Sequence, residues 1–473
     1  MAISSPGIGS GIDVQSIVSQ LVALERAPLT NLQTQASAIT TRISTYSTIK
    51  SQFAALGDAA AKLSTTSAWG VYTATSSNTS AVSVTAGTTA APGGLSIEVQ
   101  QLAKAQSTAS VAVANDTPMG SGTLSIEVGG WSGGTFTGNG SPVNVSVGAS
   151  DTLSTIAGKI NQAGAGVTAT VLRDASGERL LVRSKDTGEE QAFRIQVSDD
   201  DGNNADASGL SRLAYDPGTA TGGMSLTQGA LNAQATINNV AITSASNKLT
   251  DTLPGLTITL SQVTTEPVEL EVKTDTEEIK KRLQAFVDAY NTINDTLSNA
   301  VKYDADSKTA GPLQGDGTTV GLQNALRSMM RSVTGSTPFS RLLDVGISTE
   351  SSTGAKLKID TTKLDEAING NLEGLQSLFT ADNADATLRG FGVKVKAFTD
   401  GLLASDGQIS TKTDALAKQK TRNQDEQDRV NDRADRAQTR LLAQFSSLDT
   451  TVAQYSALGS FVSQQLALWS SSS

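Results

Sequence analysis

The stretch LLAQFSSLDTTVAQYSALGSFVSQQLALW, residues 441–469, carries one charge, Asp449, and sets apolar side chains at alternating steps of four and three. The positions are Leu441, Phe445, Leu448, Val452, Tyr455, Val462, Leu466 and Trp469, with Gly459 filling the single missing step. Four heptads of this spacing predict a helical face that seeks a partner along its whole length, as in a coiled coil. Leu442, Leu458, Phe461 and Leu468 add a second apolar strip, which a single partner helix does not cover. The eight seam positions are therefore candidates for an assembly surface.

Upstream, residues 412–440 hold eight basic and six acidic side chains. Near balance of sign predicts a solvated helix face. Asp425 and Arg429, like Asp432 and Arg436, stand four apart with the acid first, the supportive order. The last 60 residues thus read as one long helix or two in tandem.

The other end of the chain is also helical. Asp13 is placed to cap a helix that Pro28 ends or kinks, with Ile17, Leu21 and Leu24 on one face. A second helix is expected from Leu29 to Leu63. Its seam is Leu32, Ala36, Ile39, Ile43, Tyr46, Ile49, Phe53, Leu56, Ala60 and Leu63.

Between about 70 and 275 the texture changes to Thr, Ser, Gly and Val. Alternating runs appear at 95–99, 124–128, 143–147, 256–260 and 268–272, the signature of strands with one buried face. The pentapeptide LSIEV occurs at both 95–99 and 124–128. A short helix capped by Asp151 carries Leu153, Ile156 and Ile160, and a strand is expected at Val167–Val171. Asp199–Gly209 reads as an exposed acidic tip. Helical spacing returns at about 275, where Thr274 with Glu277, or Asp275 with Glu278, offers a capping box. Ile279, Leu283, Phe286, Tyr290, Ile293, Leu297 and Val301 follow at threes and fours. Further helices are expected near 318–333, 361–379 and 385–403.

The predicted fold is α+β and multidomain, with coiled-coil-like helical ends flanking inserted β-rich head domains. The expected division is 1–40 with 437–473, a terminal helical domain; 41–75 with 276–436, a second helical domain; 76–108 with 226–275, a β-rich head domain; and 109–225, a second head domain.

The composition excludes most chemistry. Among 473 residues there is no Cys and no His, so thiolates, imidazole bases, the Ser–His–Asp triad and Cys- or His-bound zinc are absent. The formal charge of −10 argues against nucleic acid and anionic membranes as partners. No run approaches 18 apolar residues, so no membrane insertion is expected. The first basic residue is Arg26 and no secretory signal pattern precedes it, so export without a cleaved signal, or a cytoplasmic location, is expected. The glycines of Gly7, Gly9 and Gly11 do not fit a dinucleotide fingerprint. Ser47 and Lys50 match a Ser–Lys pattern without its companion motifs. The run Asp199-Asp200-Asp201-Gly202-Asn203 lacks the acidic twelfth ligand of a calcium loop, because Leu210 stands there. No catalytic, cofactor-binding or metal site is expected, and no enzymatic activity.

At its two ends the sequence resembles the flagellar filament-capping family, also called flagellar hook-associated protein 2. The N-terminal likeness rests on Gly9, Gly11 and Asp13, then Leu21, Glu25, Arg26 and Pro28. Further likeness lies in Ser246–Asp251 with Pro254–Leu260, in Val345–Ile347 leading to Leu357–Asp360 and Lys363–Ala367, and in Gln444–Asp449 with Gln464–Leu466. The segment Asp151–Thr170, with Ile160 and Asn161, is similar to a motif of hook and flagellin-related proteins. The resemblance implies a homo-oligomeric ring of five or six subunits at the filament tip, which helps exported flagellin fold and insert. It implies flagellin, hook–filament junction proteins and an export chaperone as partners. It also implies an extracellular location, reached by the flagellar type III pathway without a cleaved signal. A different axial flagellar protein, or a surface adhesin using the head to bind glycans, remains as the alternative.

Overall fold

The computed structural model describes residues 13–217, 223–250, 252–350 and 355–470, with only the backbone of 468–470. Two compact units form: Met1–Trp69 with Ile279–Ser473, and Gly70–Glu278.

The first unit contains α1 (Val14–Arg26) and α2 (Pro28–Ala61). After α3 (Leu153–Ala163) of the second unit come α4 (Thr276–Val301), α5 (Gly317–Met330), α6 (Thr361–Gly370), α7 (Leu372–Thr380), α8 (Phe391–Leu403) and α9 (Gln408–Ser470). Asp13 caps α1 as expected, its carboxylate accepting from the Ser16 N–H at 3.0 Å. Pro28 opens α2 at the first helical position, where its missing N–H costs no bond. It therefore starts the second helix as well as ending the first, and only Ala27 separates the two.

The expected α2 seam faces inward. Ile39, Tyr46, Ile49, Phe53, Leu56, Ala60 and Leu63 are buried, while Leu32, Ala36 and Ile43 are half-buried. Phe398 meets Phe53 edge-on at 6.0 Å, and Phe379 gathers Trp69, Phe286 and Phe391 at 5.7, 6.1 and 6.4 Å. Perpendicular or tilted rings suit the aromatic quadrupole. The α4 seam is buried from Ile279 to Leu297, with Val301 half-buried. Asp275 is the residue that caps α4, accepting from the Glu278 N–H at 2.9 Å. The helix expected at 361–379 is two helices, because Asn371 breaks it and caps α7 through the Gly374 N–H at 2.6 Å. The helix expected from 385 begins instead at Phe391, after a single tight turn at Ala386–Leu388.

The second unit is built from antiparallel strands. In chain order they are β1 (Tyr72–Ser76), β2 (Val82–Ala86), β3 (Gly93–Gln101), β4 (Ser107–Ala109), β5 (Gly122–Ser132), β6 (Thr135–Gly138), β7 (Val143–Val147) and β8 (Val167–Asp174). Then follow β9 (Gly177–Ser184), β10 (Ala192–Asp199), β11 (Ser225–Gln228), β12 (Ala233–Ile237), β13 (Val240–Ser244), β14 (Lys248–Leu249), β15 (Leu256–Leu260) and β16 (Val268–Thr274). One half packs the sheet β1-β16-β3-β12-β13 with β14-β15-β2 around Ile97, Val99, Ala235, Ile258 and Leu270. The other half packs β10-β5-β6, with β7 beside β5, together with β11-β4-β9-β8 and α3. Its core includes Leu124, Ile126, Ile156, Val182 and Phe193. All five alternating runs lie in strands, and the two LSIEV copies fall in different sheets, β3 and β5.

Two expectations here are corrected. Thr152, not Asp151, holds the cap position of α3. The Asp151 carboxylate turns back to the Gly148 N–H at 2.8 Å and pairs with Lys159, whose hydrogen bond holds it below the usual carboxylate range. The loop Asp199–Gly209 is exposed over most of its length as expected, but Asp199 itself is buried, accepting from the Ser211 N–H at 3.1 Å and anchoring the loop that follows.

Two asparagines of the resembled motifs, Asn161 and Asn247, act as backbone clamps, and Asn291 of α4 clamps the motif residue Leu357. Asn161 grips both polar groups of Ala169, Asn247 those of Ala103, and Asn291 those of Leu357, with distances of 2.7–2.9 Å. A carboxamide offers one donor and one acceptor, so it substitutes for a neighbouring strand where the ladder ends.

Candidate assembly surface

The candidate seam belongs to α9, a continuous helix of 63 residues. In its first half the charges form the solvated face that was expected, and a narrow buried stripe runs along the other side. Ile409, Leu416, Asn423, Val430 and Ala437 are buried at steps of seven, with exposed charges on the remaining faces. A seven-residue period is what a helix uses to keep one stripe against a neighbour. The signal was present in the sequence, but Asn423 interrupts its apolar character.

Neighbours for this half come from the start of the chain. Val14, Val18 and Val22 of α1 pack on Ala434, with half-buried Leu441, Leu442 and Phe445 around them. Glu25 pairs with Arg433 at 2.9 Å and Arg26 with Asp435 at 2.7 Å, which ties the C-terminal end of α1 to α9. Arg436 does not reach the Asp432 carboxylate; its Nε donates to the Asp432 carbonyl at 3.1 Å. The apolar face of α1 that the sequence singles out is the exposed one: Ile17, Leu21 and Leu24 are 36%, 38% and 71% exposed. Both faces of α1 are apolar, and the small Ala434 admits the closer approach of the valine row.

Lower on α9, Lys412 anchors the helix. Its ammonium pairs with Asp316 at 2.7 Å, and the buried Tyr46 hydroxyl donates to the same carboxylate at 2.7 Å. Burial pushes the Asp316 carboxyl up, but the hydrogen bonds from Lys412, Tyr46 and the Thr319 N–H outweigh it and bring it down to about 2. Burial pushes the Tyr46 hydroxyl well above its ordinary value. α1 and α2 thus lie nearly end to end along the first half of α9.

Past Phe445 most of the stripe is exposed. Leu448, Tyr455, Val462 and Leu466 are 48%, 70%, 49% and 59% exposed, and Leu458 and Phe461 are as open at 58% each. Val452 is half-buried. Of the remaining predicted residues, Gly9, Gly11 and the side chain of Trp469 lie outside the described residues. Among the described residues there is no cluster of three or more metal-binding side chains, and no helix long and apolar enough to cross a membrane. Among the described residues, the arrangement leaves the side chains of Leu448, Tyr455, Leu458, Phe461, Val462 and Leu466 exposed.

Comparison with known proteins matches three families: flagellar hook-associated protein 2 N-terminus over residues 10–106, flagellin hook IN motif over 132–186, and flagellar hook-associated protein 2 C-terminus over 230–457. The chain is 32% identical to flagellar hook-associated protein 2 of Escherichia coli strain K12, over 100% of this chain and 99% of that protein. It is 31% identical to the B-type flagellar hook-associated protein 2 of Pseudomonas aeruginosa, over 88% of each. Its fold is similar to the crystal structure of the flagellar cap protein FliD D1-D2-D3 domains from Escherichia coli. The TM-score is 0.66 at 32% identity, covering 79% of this chain and 99% of that one.

Proposed function

The chain belongs to the flagellar hook-associated protein 2 family, and on that premise we propose that it caps the growing flagellar filament as a homo-oligomeric ring. In this reading the ring sits at the filament tip, outside the cell, and promotes folding and insertion of exported flagellin beneath it. The chain reaches that place through the flagellar type III pathway, in the care of an export chaperone, and meets the hook–filament junction proteins on the way. Five or six subunits close the ring. The four-part division into 1–40 with 437–473, 41–75 with 276–436, 76–108 with 226–275, and 109–225 is the working scheme for its contacts.

The observation that carries the reading is the bare stripe of α9 from Leu448 to Leu466. It continues the line of the covered half, yet no described segment of the chain lies on it. A stripe of this length exposed to water invites helical partners, in flagellin or in neighbouring subunits.

Val452→Asp tests it. A charge desolvated at that contact costs several kcal/mol, on the scale of breaking a buried pair. The variant, expressed in a strain lacking the wild-type protein, should be exported and keep its β-domain circular dichroism but leave flagellin as monomer in the medium. Export of the variant is assayed alongside. Exported variant with filaments of normal length would show that the stripe is not an assembly surface.

A further inference from the structure

The head holds a cleft of about 610 Å³, apart from the α9 stripe. Trp131 and Tyr215 form its aromatic corner, their rings 80° apart with centroids at 6.3 Å. Met224 and Leu226 add apolar surface, and Glu189 and Asp216 bring carboxylates.

The hydrogen-bond inventory of the lining is lopsided. Asp216 is 8% exposed and receives one bond, from Gln196 at 3.0 Å. Glu189 receives one from Asn232 at 3.2 Å. No described cation pairs with either acid. The nearby Arg194 is engaged elsewhere, with Glu127 at 2.7 Å and over the Phe136 ring at 4.9 Å. Among the described lining residues the side-chain donors of Gln106 and Trp131 are spent. The Gln106 amide bonds both polar groups of Phe193, and the Trp131 indole N–H points to the Phe193 carbonyl at 3.4 Å. Among the described lining side chains, the Tyr215 hydroxyl is left to act either way. A neutral sugar brings acceptors as well as donors and would leave its own oxygens without partners. An ammonium or guanidinium brings donors alone, and two aromatic rings at a corner favour it further.

The cleft also runs beside an open strand edge. β11 pairs with β4 on one side and ends its sheet on the other, and Leu226 on it is 51% exposed. An extended segment can add along such an edge while one side chain drops into the adjoining pocket.

We propose that this cleft receives an arginine or lysine side chain from an extended segment of a protein partner laid along β11. The proposal stands independently of the ring and of α9. The probe is the peptide acetyl-Val-Thr-Arg-Thr-Val-amide, titrated calorimetrically into the full-length protein at low salt. Saturable binding is expected, weakening at least tenfold when citrulline replaces arginine and at least tenfold in Asp216→Asn. Because Asp216 is nearly buried, exposed Glu189→Gln serves as the second variant, with a threefold to fivefold loss expected and an unchanged thermal transition. Equal binding of the citrulline peptide overturns the cation assignment. Butylguanidinium binding as tightly as the peptide overturns the partner segment in favour of a small-cation site. No binding of either probe overturns the site altogether.

Discussion

The two halves of α9 invert the usual reading of a helix. Residues 409–441 are dense in charge and bury a stripe of small and apolar side chains; residues 448–466 are almost uncharged, yet Leu448, Tyr455, Leu458, Phe461, Val462 and Leu466 are exposed. In the first half a narrow stripe at steps of seven is enough, because α1 and α2 lie along it and long charged side chains need only the rim. In the second half the stripe is richer, yet the described part of α1 begins at Val14 and reaches no further than Phe445. Apolar spacing states which face wants a partner. The length of the neighbouring helices decides which part of the face has one.

The sharpest way to break this comparison is a charge in the covered half. Ala434→Asp places a carboxylate at a fully buried contact with the α1 valines, and should cost about 3 kcal/mol and strip hydrogen-exchange protection from α1. Unchanged protection across Ser16–Arg26 would mean that α1 does not hold that half. Tyr46→Phe removes the hydroxyl that joins α2 to Asp316 and Thr319, with about 1–2 kcal/mol lost in urea denaturation.

Acid should act on the same anchor. The folded Asp316 titrates at about 2, below its ordinary value of 3.8, so the folded state holds its proton more weakly than the unfolded chain. Its contribution is complete above about pH 4 and is lost as pH falls towards 2. Asp316→Asn should flatten the stability profile across that window, and an unaltered slope would remove Asp316 from the account. The exposed pair Glu25–Arg433 should matter less. Glu25→Arg is expected to cost under about 1 kcal/mol, to be rescued by Arg433→Glu, and to fade at high salt. The smallest effect belongs to the bare half. Val452→Asp should change the stability of the isolated protein by no more than about 0.5 kcal/mol, however much it harms assembly. A large loss there would show that the bare half is packed in the free protein after all.

The legible parts of this protein were those set by local rules. Asp13 capped its helix, and Pro28 marked the junction of two. The period-two runs became strands because alternation leaves a strand one way to bury its apolar side. The candidate stripe of α9 was legible as a stripe, but its division at Phe445 was not. On α1, Ile17, Leu21 and Leu24 and the row of Val14, Val18 and Val22 are equally plausible faces by spacing, and packing on Ala434 chose the valines. Asp151 shows the limit of a local signal. Its residue type suits a cap, but the ammonium of Lys159 and the N–H of Gly148 hold it elsewhere.

The amino-acid order alone thus determined helical ends around a β-rich middle, the absence of His and Cys chemistry, and the existence of an apolar line along the last helix. These follow from periodicity and composition, which act over a few turns or a few strand residues. Only the tertiary structure decided which α1 face is buried, that a stripe of the charged half of α9 is covered, and that Tyr46, Asp316 and Lys412 meet. Those outcomes depend on side chains hundreds of residues apart, where the close fit of surfaces selects one arrangement among several that local spacing allows equally.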